Sequence, residues 1–475
     1  MAHFNRERIP ERVAHANGAG AFGYFQVTHD ITNYTRASVF DHVGKKTPVA
    51  IRFSLAIGDK GSPDTTRGSR GFGIKFYTDQ GNWDLAGLNL PVFFFRDPFL
   101  FPGFVHSQNR NPVTHLLDAD MYWDFFSLHP ESTHAVMHLF SDRDMPDGYR
   151  HMDGYGVHTF KLVNADGTSV YCKFHIKVCA RMRANLSASE AEELMGKDPD
   201  YYLRDLYNSI ASKDYPTWTF YIQVMTFEQA RTWTFNPFDV TKLWPLSDFP
   251  LIPVGKLVLK RNPTDYFSDV EQIALAPANL VPGIEPSPDR ILQGRLFGYS
   301  DTQRYRLGPN VNQLPVNCPL NVRMANYQRD GNAAVENQGG APNYFPNSFS
   351  GPVDDAKWKA PPFPSSGDVD RWDSSADYDD FTQPRELWEA LSDEERDHLA
   401  DNIANHLKDA HDFIRSRAVA NFAKAHSGFG AAVSMRIDEL LQILASLTAY
   451  SFTRRHFYTA PTDKRMFCAL AHCLL

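Results

Sequence analysis

The sequence predicts an α+β fold: an antiparallel β core of the barrel or sandwich kind, a long extended segment laid over it, and a C-terminal helical domain. Three observations carry that reading. Apolar and polar residues alternate through segments spread over residues 46–260, a proline- and asparagine-rich run occupies most of residues 282–384, and a helical repeat with its own start signal follows. The organisation expected is an N-terminal segment over 1–45, the β core over 46–260, the wrapping segment over 261–385, the helical domain over 386–445, and a tail without a clear pattern over 446–475.

The first motif along the chain is HANGAGAFGYF, from His15 to Phe25, with G-x-G-x-x-G spacing at Gly18, Gly20 and Gly23. A dinucleotide loop requires a buried strand before such glycines and a helix after them. Here the preceding MAHFNRERIPERVAHAN is charged and holds a proline, and the following YFQVTHDIT alternates like a strand. The glycines therefore serve another purpose, and His15 is the better functional clue. In TPVAIRFSL, Val49, Ile51 and Phe53 share one face while Arg52 and Ser54 share the other, so this strand offers apolar residues to a core and polar ones to a site. HTFKLVNADGTSVYCKFHIKV reads as a hairpin turning at Asp166-Gly167, and TWTFYIQVMT as a further strand. The run that includes GGAPNYFPNSFSGP has few periodic apolar positions and reads as extended chain lying over other structure. After it, Ser392 and Glu395 form a capping box, and Leu399, Ile403, Leu407 and Ile414 trace one helical face.

Composition excludes several classes of partner. A formal net charge of −8 over 475 residues disfavours nucleic acid and anionic membranes, and the longest apolar runs, such as LPVFFF, are too short to span a bilayer. The first residues lack a secretory pattern, the five cysteines are scattered, and the final AHCLL is neither a peroxisomal tripeptide of the S-K-L kind nor a prenylation box. An intracellular location, cytoplasmic or peroxisomal, is expected. The 35 Phe, 20 Tyr and 8 Trp suit a large aromatic core first and a flat apolar cofactor second.

One helical piece carries chemistry. In PDRILQGRLFGYSDTQRYRLGP, Leu292, Arg295, Leu296 and Tyr299 fall on one side, which sets a guanidinium one turn from a phenol. A phenolate supported by such a cation is a hard anionic ligand for ferric iron. Together with FNRERIPERVAHANGAGAFGYF, RFS, RGFGIKFYTDQGNWDLAG, FPGFVHSQNRNPVTHL, MDGYGVHTFKLVNADG, YCKFHIK, WTFYIQVM, FNPFDVTKLWP, LIPVGKLVLKRNP, GRLFGY, RLGPN and QGGAPNYFPNS, this stretch closely resembles the monofunctional haem catalases, in order from Phe4 to about Lys424. The resemblance implies a catalase-like β-barrel with haem b and a homotetramer. It implies Tyr299 as the proximal iron ligand, Arg295 as the cation beside it, His15 as the distal histidine, Ser54 as its support, and Phe101 at the distal aromatic position. Arg12, Arg52 and Arg306 fall where the family holds the haem propionates. The glycines are expected to let the backbone turn close to the porphyrin. The N-terminal segment is shorter than the arm that family members exchange between subunits, so a less tightly knotted tetramer is expected.

Departures from the family pattern shape the functional expectation. Where the family reads V-G-N-N-T-P, this chain has Ala86-Gly-Leu-Asn-Leu-Pro91, so Leu88 stands where an asparagine amide partners the distal histidine. Gly68, Ala14 and Leu90 replace an aspartate, a valine and a threonine of the family's substrate channel. His134, Ser141, Arg143, Tyr155, Lys177 and Trp244 match the family's NADPH pocket, whereas Leu246 and Asp153 replace its histidine and asparagine. From these changes the function expected is oxidation of an organic, amine-bearing metabolite with a reduced oxygen species, as in the oxidative cyclisation of ergot alkaloid (chanoclavine) biosynthesis. The amine is expected in the altered pocket beside Asp153, with NADPH as that pocket's other candidate ligand. The alternative is a true catalase that disproportionates hydrogen peroxide.

Overall fold

The computed structural model describes residues 1–179, 184–336, 338–355, 359, 367, 370–374 and 378–457, the last ten in backbone alone. Cys468, Cys473 and the rest of 458–475 lie outside the described residues, while 446–457 continue the helix Ser427–Phe457.

Ten antiparallel strands make one sheet: β1 Gly18–Val27, β2 Lys46–Leu55, β3 Arg70–Thr78, β4 Gly81–Leu88, β5 Gly154–Tyr155, β6 Phe160–Val163, β7 Ser169–Val178, β8 Thr217–Met225, β9 Ile252–Arg261 and β10 Ile284–Pro286. Their order is β10-β6-β7-β5-β4-β3-β2-β1-β9-β8, and a β7–β8 pairing closes eight of them into a barrel, leaving β6 and β10 as an extension. Closure removes the exposed edges that an open sheet would leave. Inward residues on every second position fill the interior. Phe25, Phe53, Phe72, Phe76, Trp83, Trp218 and Phe220 are essentially fully buried there and meet mostly edge to face, as between Phe53 and Phe72 at 4.8 Å. The interior is thus a packed aromatic core, and the polar residues of the same strands face outward.

The hairpin expected at Asp166-Gly167 forms between β6 and β7. Gly167 takes φ +84°, and the Asn164 side chain accepts from the backbone N–H of Asp166 and Thr168. The chain on both sides of β10 lies along the outside of the barrel: before it, Asp84 accepts from Ala276 N and Asn279 Nδ2, and after it, Tyr77 donates its hydroxyl to the Val316 carbonyl at 2.6 Å. Helices Thr382–Ala390, Asp393–Leu407, Asp412–Ala425 and Ser427–Phe457 follow. The Ser392–Glu395 capping box is present, and Leu399, Ile403 and Leu407 are buried on one face. Ile414 belongs to the next helix, because the chain is extended at His411 (ψ 149°) and the periodicity restarts there.

One expectation needs correction. Gly18, Gly20 and Gly23 do not turn the chain; they lie inside β1 in extended conformation. A Cβ on Gly18 would stand 2.3 Å from the Phe53 carbonyl, one on Gly23 1.8 Å from that of Val258, and one on Gly20 2.8 Å from Val270. The glycines are required by close packing of β1 against β2, β9 and the segment around Val270.

Candidate active site

The outer wall of the barrel builds the site in rows. Strand register places Gly18, Ser54, Gly71, Leu88 and Tyr155 side by side across β1, β2, β3, β4 and β5, and Gly20, Arg52, Gly73 and Ala86 in the next row. Residues opposed in an antiparallel pair project from the same face. Small residues dominate both rows, and the Cβ atoms missing from Gly71 and Gly73 would fall 2.5 Å from Ser54 Oγ and 2.3 Å from Leu275 Cδ1.

His15 stands over this wall just before β1. Its backbone is left-handed (φ +65°), an uncommon state for a residue with a Cβ, and it is held by His15 N–H to the Ala56 carbonyl at 2.8 Å and by Arg52 Nη1 to the His15 carbonyl at 2.8 Å. Its Nδ1 meets Ser54 Oγ at 2.9 Å, which leaves Nε2 for the site. Burial, then Arg52, Arg295 and Arg12, bring the imidazole down to about 3, so it is neutral at physiological pH and able to accept a proton. Phe101, at the start of the helix Phe101–Gln108, is 39% exposed.

On the other side is the helix Arg290–Leu307. Asp289 caps it, its carboxylate accepting from Leu292 N at 3.0 Å. The predicted i,i+4 pair forms: Arg295 Nη2 donates to the Tyr299 hydroxyl at 2.7 Å and to the Ala86 carbonyl at 3.0 Å, tying the helix to β4. Two residues missed in the sequence complete the chain. Arg295 Nη1 meets His158 Nε2 at 2.6 Å, and His158 Nδ1 meets Asp289 Oδ2 at 2.8 Å. Burial is the largest influence on His158 and holds it below the ordinary imidazole value. In the neutral tautomer that satisfies both contacts, Nδ1–H donates to Asp289 and Nε2 accepts from Arg295. The cap position of Asp289 ahead of a helix was the available signal.

Arg12, Arg52 and Arg306 are brought together. Arg12 and Arg306 both donate to the Glu271 and Ile273 carbonyls. Burial lowers all three below the ordinary guanidinium value, Arg306 to about 10, and proximity to Arg52 lowers Arg12 and Arg306 further. Arg12 Nη1, Arg52 Nε and Arg306 Nε are buried N–H groups without a hydrogen-bond partner. Glu271, 3.7 Å from Arg12, is the carboxylate among them. Three crowded guanidinium groups with unused donors fit an anionic group such as a pair of carboxylates. With a phenol hydroxyl on one side and a neutral imidazole on the other, the residues fit haem.

The expected NADPH pocket is less united. Lys177 Nζ contacts Tyr155 OH at 2.6 Å and Asp153 Oδ2 at 3.3 Å. Ser141 and Arg143 line a small hollow with His138, Leu387 and Glu395. His134 and Trp244 are packed away at 3% and 2% exposure, with His134 Nδ1 on the Thr241 carbonyl, whereas Leu246 is 60% exposed. His138, also missed, sits among them: burial, then His134, Arg143 and Lys177, hold it well below the ordinary imidazole value.

The catalase profile matches residues 1–351, and that of the catalase-related immune-responsive family residues 373–437. The catalase of Rattus norvegicus is 61% identical over 441 residues, covering 92% of this chain and 83% of that protein. That of Drosophila melanogaster is 58% identical over 434 residues, covering 90% and 86%. Among solved structures, catalase A from Saccharomyces cerevisiae superposes with a TM-score of 0.88 at 44% identity, covering 92% of this chain and 91% of the other.

These similarities overturn the expectation of a member turned to an amine-bearing metabolite or to alkaloid cyclisation. Relatives about 60% identical along nearly the whole chain are named catalase. The structure supplies physical reasons. Leu90 is 2% exposed and lies with Val92 and Phe94 in an apolar cluster, so its apolar side chain serves packing, and Asp153 is already engaged with Lys177 instead of being set to meet an amine.

Proposed function

The chain belongs to the catalase family, and from that premise we propose that it disproportionates hydrogen peroxide to water and dioxygen. It is a haem oxidoreductase of the catalase type. The observation that carries the proposal is the pairing of His15, oriented by Ser54, with the Asp289–His158–Arg295–Tyr299 chain on the opposite side. Tyr299 would hold the haem iron, and Arg12, Arg52 and Arg306 would hold the propionates. Haem, when bound, supplies the iron that exchanges electrons with peroxide.

His15 does the proton work. With Nδ1–H directed at Ser54 Oγ, its Nε2 takes a proton from one peroxide oxygen and returns it to the other, so that water leaves. Leu88 offers no hydrogen bond where the family pattern carries an asparagine amide, so the turnover expected is lower than an asparagine at that position would give. His15→Ala should abolish oxygen evolution while haem stays bound, and Tyr299→Phe should change the haem absorption spectrum itself; full oxygen evolution by His15→Ala would refute the assignment.

NADPH binding is read as weak, because the Lys177 ammonium that would meet a phosphate is already paired with Asp153. A homotetramer is supported by the family and by large apolar side chains left on the surface of the single chain, among them Phe99 at 76%, Val113 at 90% and Phe297 at 76% exposure. Cytoplasmic or peroxisomal residence suits a peroxide-consuming enzyme with scattered cysteines. Among the described residues no helix is long and apolar enough to cross a membrane.

A further inference from the structure

His158 reaches Arg295 from a strained place. Val157 takes φ +63°, an outlier for a β-branched residue, in a tight turn closed by His158 N–H donating to the Gly156 carbonyl at 2.7 Å. Gly156 is anchored by its own N–H to the Phe174 carbonyl at 2.8 Å. What remains to be held is the Val157 carbonyl, which lies between β5 and β6 and belongs to neither strand. Lys173 holds it. This residue of β7 faces out of the barrel, since its neighbours Cys172 and Phe174 belong to the interior core. It is only 5% exposed, and its ammonium donates to the Val157 carbonyl at 3.2 Å and the Lys242 carbonyl at 3.4 Å, with the Trp244 ring 5.5 Å away. A lysine buried on two backbone carbonyls is unusual, because the desolvation of its charge is normally offset by a carboxylate. Burial brings it down to about 8, against the opposing fields of Asp289 and Asp239.

We propose that Lys173 is a positioning residue for the proximal side of the haem site: by clamping the Val157 carbonyl it fixes the Gly156–Val157–His158 turn, and with it the angle at which His158 meets Arg295 and Arg295 meets Tyr299. The proposal rests on the reading of Tyr299 as the residue that holds the haem iron. It also joins the segment carrying Lys242 and Trp244 to the iron side of the site, because one ammonium binds both.

The test is resonance Raman spectroscopy of the haem-loaded tetramer or monomer as purified, reading the iron–phenolate stretch, alongside steady-state oxygen evolution. Lys173→Met keeps the unbranched stem of the side chain, one atom shorter, and removes the donor. It should shift or broaden that band and lower kcat about tenfold at unchanged KM, while haem content and thermal midpoint are recorded to verify folding. Adding Val157→Gly to Lys173→Met should return the band toward its wild-type position, because glycine adopts the left-handed turn without a clamp. Where Lys173→Met does not fold, Lys173→Gln, whose shorter side chain withdraws the donor from the Val157 carbonyl, should shift the band, and an unshifted band in it overturns the proposal. A wild-type band that Lys173→Met leaves unmoved overturns the proposal alone. Absence of the band from the wild type overturns the ligand reading, and this proposal with it.

Discussion

Leu88 lies directly opposite Gly71 across the β3–β4 ladder, and the Cβ that Gly71 lacks would stand 2.8 Å from His15 Nδ1. The isobutyl group of Leu88 therefore leaves the sheet on the face that carries the distal histidine. The adjacent amide does not replace it: Asn89 accepts from Arg70 N at 2.7 Å and donates to Asp144 Oδ1 at 2.8 Å, in a buried network behind the wall. A preorganised donor of this kind contributes roughly 10²–10³ in rate in other enzymes. Leu88→Asn is expected to raise oxygen evolution by about 10²-fold, with haem content unchanged. The comparison is made by initial rates at matched haem concentration.

Gly71 is the complementary case. An alanine there would place its methyl 2.5 Å from Ser54 Oγ and 2.8 Å from His15 Nδ1, so the hydrogen-bonded pair must move. Displacement of a catalytic group by about 1 Å can cost about 10²-fold. Gly71→Ala is expected to bind haem, fold, and lose oxygen evolution to that extent, as measured by haem absorbance and an oxygen electrode on one preparation.

The Lys177–Asp153 pair gives a binding prediction. Replacing Asp153→Asn removes the competing carboxylate and frees the ammonium for a phosphate. NADPH affinity, measured by titration calorimetry, should rise about tenfold or more. Equal affinity in both proteins would show that the pair does not control the pocket.

Stability should fall on the acid side. Burial lowers His134 to about 4 and His175 to about 3, and holds His138 well below the ordinary imidazole value of 6.5. Below pH 6.5 the unfolded chain takes up protons at these residues that the folded chain does not, so the unfolded state gains and stability drops as pH falls. Each group contributes up to about 1.4 kcal/mol per pH unit until its folded value is reached. Chemical denaturation between pH 7.5 and about pH 5 should show midpoints falling steadily as the pH is lowered through the window just below 6.5; a flat profile would contradict the buried neutral state.

Much of the site was legible in the sequence where chemistry is local. The i,i+4 spacing of Arg295 and Tyr299 needs only helix geometry, and the split of β2 into Phe53 inward and Arg52 and Ser54 outward needs only strand alternation. Contacts made by closure were not legible. His158 and Asp289 are 131 residues apart and meet because β10 and the following helix pack back on the barrel. The glycines of β1 were readable as close-approach residues but not as extended ones, since the atoms that forbid a Cβ come from Phe53, Val258 and Val270. The expectation of an altered substrate rested on Leu88, on Gly68, Ala14 and Leu90 in the channel, and on Asp153 in the pocket. Leu88 and Leu90 both belong to an apolar cluster, and Asp153 is paired with Lys177.

The central claim is that His15 and the Tyr299 side of the site act on peroxide alone. The direct measurement is the stoichiometry of oxygen release from hydrogen peroxide by the haem-loaded protein, with no organic donor present. One dioxygen for every two peroxides consumed, lost in His15→Ala, is the result predicted. Peroxide consumption that requires an added organic reductant and releases no dioxygen would contradict it.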